Sequence, residues 1–174
     1  MEASQRREKI LAILRENEQP VSASTLAGRF QVSRQIIVGD IALLRAANYA
    51  ITATPRGYVL PGDAEVTGSL VKTIACRHGM DNLAQELYSI VDNGCGLIDV
   101  IVEHAVYGQI SGRLHIFSRY DADCFIKKLE QEKALPLSDL TGGVHLHTLS
   151  CPSEEAFGRV LHALKKVEIL FDKE

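Results

Sequence analysis

No two cysteines are spaced as CxxC. Cys76, Cys95, Cys124 and Cys151 stand far apart, so neither a zinc knuckle nor a thiol redox motif is indicated. In a reducing compartment they read as small core residues. No apolar run is long enough to span a bilayer, and Met1 to Lys9 is charged rather than signal-like. Both absences predict a cytoplasmic protein with no membrane partner. Phosphate-binding loops and dinucleotide fingerprints are missing too. No general base or oxyanion donor stands at a defensible spacing, so no catalytic residue is assigned. What is present suits a globular chain. A hydrophobic fraction of 46% can bury real cores, and 174 residues suggest two compact units.

The net charge of -3 is unevenly spread: residues 1–60 hold eight Lys and Arg against five Asp and Glu, and residues 61–174 hold eleven against seventeen. A modestly basic first part beside an acidic second part fits one module that meets phosphate backbones and one that does not. The basic part begins with a helix that Ser4 can cap, its apolar positions Ile10, Leu11, Ile13 and Leu14 recurring at helical spacing. Ser22 offers a second N-cap before Leu26, Ala27 and Phe30. Ser33 offers a third before Ile36, Ile37, Ile41, Leu43 and Leu44. Three short helices, the last two joined by a tight turn, outline a helix-turn-helix. Tyr49 to Ala53 and Tyr58 to Leu60 flank the turn Thr54-Pro55-Arg56-Gly57, which predicts a hairpin, or wing, with Arg56 at its tip.

Val32-Ser33-Arg34-Gln35-Ile36, then Ile41, Leu43-Leu44 and Arg56-Gly57-Tyr58, resembles the winged helix at the N-terminus of biotin-ligase repressors. That resemblance implies that the start of the third helix faces the major groove of operator DNA. Ser33, Arg34 and Gln35 become the candidate contacts, with Arg56 reaching a phosphate or the minor groove. Gly39 sits inside this helix and should weaken it by about 1 kcal/mol relative to Ala.

Pro61-Gly62-Asp63 marks a boundary, giving domains 1–62 and 63–174. Beyond it, Val66 to Cys76 reads as a strand and Asp81 as the cap of a helix that Asn93-Gly94 stops. Leu97 to Val102 and Arg113 to Ile116 read as strands. Ser118 or Asp121 starts a helix, Gly143 to Leu149 is a strand, and Ser153 caps a last helix to about Val167. The order β-α-β-β-α-β-α predicts an α+β open-faced sandwich behind the winged helix-turn-helix.

His145-Leu146-His147 is the sharpest chemical feature. On a strand both imidazoles leave one face, where two nitrogens can converge on a cation. His78 and Glu86 strengthen it. If both were helical they would stand ~12 Å apart, too far for one metal. With His78 in the turn before the helix, the distance shrinks to ligand scale. Three histidines and a carboxylate make a mixed N/O site that suits zinc or nickel. His104, His115 and His162 read as core, rim or solvated groups; Arg77 and Arg113 are not assigned to a ligand.

From about Val66 onward the chain also resembles the 3H domain, named for three histidines. Arg77-His78-Gly79 and Gly143-Val144-His145-Leu146-His147 match its histidine pattern, and Glu86 its carboxylate ligand. The two modules in tandem are similar to nicotinate-responsive repressors of NAD biosynthesis and niacin uptake. The resemblance implies one divalent transition metal per chain, nicotinic acid as co-repressor, and operator DNA as partner of a homodimer, with the second domain supplying sensing and dimerisation. Two other readings stay open. The metal itself could be the effector, or the site could activate water in a small metalloenzyme acting on a pyridine carboxylate derivative.

Overall fold

The computed structural model describes residues 2–60 and 69–171. The boundary at Pro61-Gly62-Asp63 and the strand start at Val66 lie outside the described residues. The chain divides into two compact units, 1–67 and 68–174.

In the N-terminal unit, three helices bury Ile10, Leu14, Leu26, Ile37 and Ile41 against one another: α1 (Ala3–Glu16), α2 (Ala23–Phe30) and α3 (Arg34–Ala46). Ser22 and Ser33 cap α2 and α3 as predicted, their hydroxyls accepting from the amides of Thr25 at 3.0 Å and Ile36 at 3.3 Å. Ser4 does not cap α1. The helix already starts at Ala3, behind an extended Glu2 that makes no side-chain cap bond. Gln31 ends α2 in the left-handed region, φ 54°, and this sharp stop lets α3 begin three residues later. Ile36 and Leu43, expected on the apolar face of α3, are 43% and 56% exposed instead. The buried stripe of that helix is Ile37, Asp40, Ile41 and Leu44.

The wing is shorter than the apolar runs suggested: β1 (Thr52–Thr54) pairs with β2 (Gly57–Val59). Tyr58 also exchanges backbone hydrogen bonds with Val21, at 2.8 and 2.9 Å. Gly57 is required there, because a Cβ would stand 2.4 Å from the Val21 backbone.

The C-terminal unit contains β3 (Leu70–Arg77), α4 (Leu83–Val91), β4 (Gly96–His104), β5 (Gly108–Ile116), α5 (Arg119–Glu132), β6 (Val144–Cys151) and α6 (Glu154–Lys166). This is the predicted β-α-β-β-α-β-α order. The sheet is antiparallel, β3-β6-β4-β5, with β6 central. Ile74, Cys76, Leu97, Leu114 and Leu149 pack beneath Leu87 and Ile90 of α4, Ala122 of α5, and Val160 and Leu164 of α6. The opposite face carries exposed Val71, Thr73, Arg77, Ser111 and Arg113. Ser118 and Ser153 cap their helices. Asp81 does not: a 3-10 turn, Met80–Asn82, precedes α4, and Asn82 at its cap position makes no side-chain bond. A β-bulge interrupts β4 pairing between Leu97 and Asp99.

Candidate metal centre

β6 places His145 and His147 on the helix-covered face, where period-two alternation puts them, and both are 3% exposed. Glu86 comes down from the first turn of α4, fully buried. His78 follows the end of β3 in the turn before the helix, its side chain 3% exposed. The four side chains converge. Nε2 of His78 lies 2.8 Å from Glu86 Oε2, and Nε2 of His145 and of His147 lie 2.9 and 3.3 Å from Oε1. The rings stack edge to face, with centroids 5.0 Å apart for His78 and His145 and 4.8 Å for His145 and His147.

The far side of each ring is held by backbone. Nδ1 of His78 lies 2.7 Å from the Gly79 carbonyl, that of His145 2.9 Å from the Gly143 carbonyl, and that of His147 2.8 Å from the Asp99 carbonyl. A carbonyl only accepts, so each Nδ1 carries the proton and donates it. In the neutral imidazole the Nε2 atom is then a bare lone pair aimed at a carboxylate. His78 Nε2, His147 Nε2 and Glu86 Oε2 are buried without a hydrogen-bond partner. Nε2 lone pairs around an anion repel unless a metal cation, or a proton on the imidazoles themselves, stands among them; His145 Nε2 already lies at hydrogen-bond distance from Glu86 Oε1. The donor set therefore fits a metal ion: three imidazole nitrogens and a carboxylate, with the outer nitrogens pinned.

Without an ion, protonation of the histidines supplies the positive charge that Glu86 calls for. Burial alone would push the Glu86 carboxyl up, but the charge of His147 and the facing imidazoles hold it well below the usual carboxylate range. Burial would likewise lower His147 and His78, and Glu86 overrides it and raises both. The facing imidazoles thus favour the charged form of Glu86, and Glu86 favours their charged form in return.

Cys76, read from sequence as a plain core residue, is the direct cross-strand partner of His145. Its thiol sulfur joins Glu86 and His145 in a group whose ligand atoms lie within 4.8 Å of one another. Burial and then the Glu86 charge push the thiol strongly up, so it stands here as a protonated neighbour. Gly143 was also missed. At φ +93° its Cβ would stand 2.5 Å from the His78 carbonyl oxygen. Its own carbonyl accepts from both the His78 amide and the His145 ring. The signals were the Gly142-Gly143 doublet before His145 and the Cys76-Arg77-His78 spacing.

Beside Glu86, His145 and His147 lies a small cavity of about 30 Å³ walled by Val100, Leu114, Phe125, Leu137 and Ser138. That is room for about one water molecule.

The other candidates fall where their chemistry allows. Ser33, Arg34 and Gln35 are exposed at the start of α3, and Ile36, Gly39 and Leu43 extend that exposed face. Arg56 is half-buried at the wing turn, its amide donating to Thr54 Oγ1 at 3.2 Å. His104 Nδ1 accepts from the amides of Val106 and Tyr107, which fixes the β4–β5 turn. His115 packs edge-on against Phe117, and His162 is exposed on α6. Among the described residues, no helix is long and apolar enough to cross a membrane.

Known families match both units. Residues 71–173 match the 3H domain, and residues 6–59 match an HTH domain. The chain is 43% identical to the probable transcription repressor NiaR of Thermotoga maritima, over 97% of this chain and 95% of the relative. It is 41% identical to the transcription repressor NadR of Bacillus subtilis, over 95% of this chain and 92% of the relative.

Proposed function

The chain belongs to the 3H-domain family of transcription repressors, and from that premise we propose that nicotinic acid is its co-repressor, acting at a divalent transition metal. His78, Glu86, His145 and His147 hold the ion, zinc or nickel by the donor set. The genes controlled are those of NAD biosynthesis or niacin transport, and a homodimer reads paired operator half-sites through Ser33, Arg34, Gln35 and Arg56. Residues 1–62 bind DNA, and 63–174 sense and dimerise.

The observation that carries this reading is the set of three buried Nε2 atoms turned toward one carboxylate, each ring pinned from behind by a carbonyl. When bound, the cation supplies a Lewis-acidic anchor for a carboxylate or pyridine nitrogen. The protein's residues do the rest. Val100, Leu114 and Phe125 offer an apolar wall to a flat ring, and Glu86 balances the ion's charge. A cavity sized for one water admits nicotinate only if a wall moves, and its rim at Leu137 and Ser138 is a short 3-10 turn rather than a strand or long helix. Nicotinate thereby favours one of two arrangements, which is what a co-repressor needs.

The test replaces His145 and His147 with Ala and follows metal content and operator binding while nicotinate and metal are titrated separately. Metal retention and nicotinate-dependent binding should both disappear. Ligand-responsive binding that survives in the variant would falsify the assignment. Operator binding that responds to metal alone would make the ion the effector.

A further inference from the structure

The two edges of the C-terminal sheet are finished differently. On the β3 side the chain's own end lies alongside: Arg77 donates to the Ile169 carbonyl and Phe171 to the Ala75 carbonyl, each at 2.9 Å, and Cys76 bridges Leu170. β5 forms the other edge and pairs only with β4 among the described residues. It is nine residues long, or ~30 Å. Exposed edges are normally guarded by Lys, Pro or an inward charge. Gly108-Gln109-Ile110-Ser111-Gly112 has none of these, and Arg113 is the lone charge of the strand. Apolar side chains are exposed just beyond both ends. Val106 and Tyr107 precede β5 at 80% and 78% exposure, and Phe117 and Tyr120 follow it at 43% and 66%.

We propose that β5 pairs antiparallel with β5 of a second copy, making one eight-stranded sheet, and that this edge is the dimer interface. The inference rests on the reading of the chain as a dimeric repressor. A two-fold axis across the strand sets the start of one β5 against the end of the other. Val106 and Tyr107 of each copy then meet the partner's Phe117 and Tyr120. Two exposed pairs, with Tyr107 already tilted against His104 and Phe117 edge-on to His115 in their own chain, become complementary across the axis. The left-handed His115, φ 52°, bends the strand near its end, so the new ladder runs over Gly108 to Leu114. There Arg113 comes opposite the polar Gln109–Ser111 stretch, and no like charges oppose. Val106 and the partly exposed rings of Tyr107, Phe117 and Tyr120, with the nine-residue strand edge, form the patch that this pairing covers.

The experiment is sedimentation equilibrium on the full chain, with circular dichroism to verify folding. One variant carries Gln109→Lys and Ser111→Lys on the edge. A second carries Val106→Asp and Tyr107→Asp at the exposed turn, where folding is least at risk. Val71→Lys on β3 is the control. The native protein should be a dimer, and both variants should raise its dissociation constant at least tenfold while Val71→Lys leaves it unchanged. A native dimer that both variants leave intact, or that Val71→Lys breaks, places the interface elsewhere and overturns the proposal while the dimer reading stands. A monomeric native protein overturns both.

Discussion

Asp40 in the N-terminal unit and Glu86 in the C-terminal unit are carboxylates at 4% and 0% exposure, and their surroundings differ in kind. Asp40 projects from α3 onto α1, where Arg6 Nε lies 2.5 Å from Oδ2, Arg6 Nη2 3.3 Å from Oδ1 and Arg7 Nη1 3.6 Å from Oδ1. Guanidinium is always charged and always a donor, so this anion is complete as the protein folds. Glu86 faces three imidazoles whose Nδ1 atoms are engaged with backbone carbonyls, so its charge is met only by a proton on Nε2 or by a bound cation. Burial of a charge therefore says little about its role; the state of its partners decides. The first carboxylate ties α3 to α1, and the second stands in a donor set that fits a cation.

The strongest way to break this contrast is to take the cation away. Zinc or nickel at about a thousand times its dissociation constant should stabilise the protein by on the order of 4 kcal/mol. Calorimetry with and without chelator should show that gain in the C-terminal unit's transition, with the N-terminal unit's unmoved. Glu86→Gln, which keeps the volume and removes the charge, should abolish the metal-dependent shift. A shift of unchanged size in that variant would remove Glu86 from the ligand set.

The same operation on Asp40 should look different. Asp40→Ala leaves two arginines facing an empty site and should lower the melting temperature of the N-terminal unit by roughly 10 °C, the loss expected for hydrogen bonds to a charged group in a domain of this size. Metal binding should be untouched, and operator affinity should fall equally with and without nicotinate. An Asp40 variant that altered the metal-dependent shift would erase the distinction between the two carboxylates.

Asp99 sharpens the comparison from outside the ligand set. At the β4 bulge its side chain accepts from the Thr148 amide at 3.1 Å, and its carbonyl accepts from the His147 ring. Asp99→Ala should loosen that carbonyl and weaken metal binding about tenfold, the lower end for residues that orient a ligand from behind. Asp99→Asn keeps an acceptor oxygen and should restore most of the affinity in a competition titration. Equal losses in both variants would point to charge rather than positioning.

These residues also mark where sequence was legible. Ser22, Ser33, Ser118 and Ser153 were readable because a cap acts on an amide three residues away. Ser4 and Asp81 failed on the same grounds: one helix began a residue early, and a 3-10 turn intervened before the other. His145 and His147 were readable from strand alternation, and His78 and Glu86 from the requirement that one precede the helix. Cys76, Asp99 and Gly143 act through cross-strand register, a bulge and a close backbone approach, none of which local spacing encodes. Ile36 and Leu43 show the converse error, since helical spacing alone does not say which face has a neighbour.

Gly39 gives the smallest effect and the closest test of the proposal that α3 reads DNA. Its position in α3 costs helix stability, and close packing would have explained it. The structure removes that explanation: a Cβ at Gly39 would meet nothing within 4 Å. It lies on the exposed face with Gln35, Ile36 and Leu43, one turn from the arginine expected in the major groove. Gly39→Ala should therefore stabilise the N-terminal unit by about 1 kcal/mol. If the glycine is kept for close approach to DNA, the same variant should bind operator more weakly although it is more stable. Melting and operator titration on one preparation read both signs, and a variant that gains stability with undiminished affinity would separate Gly39 from the DNA-contacting surface.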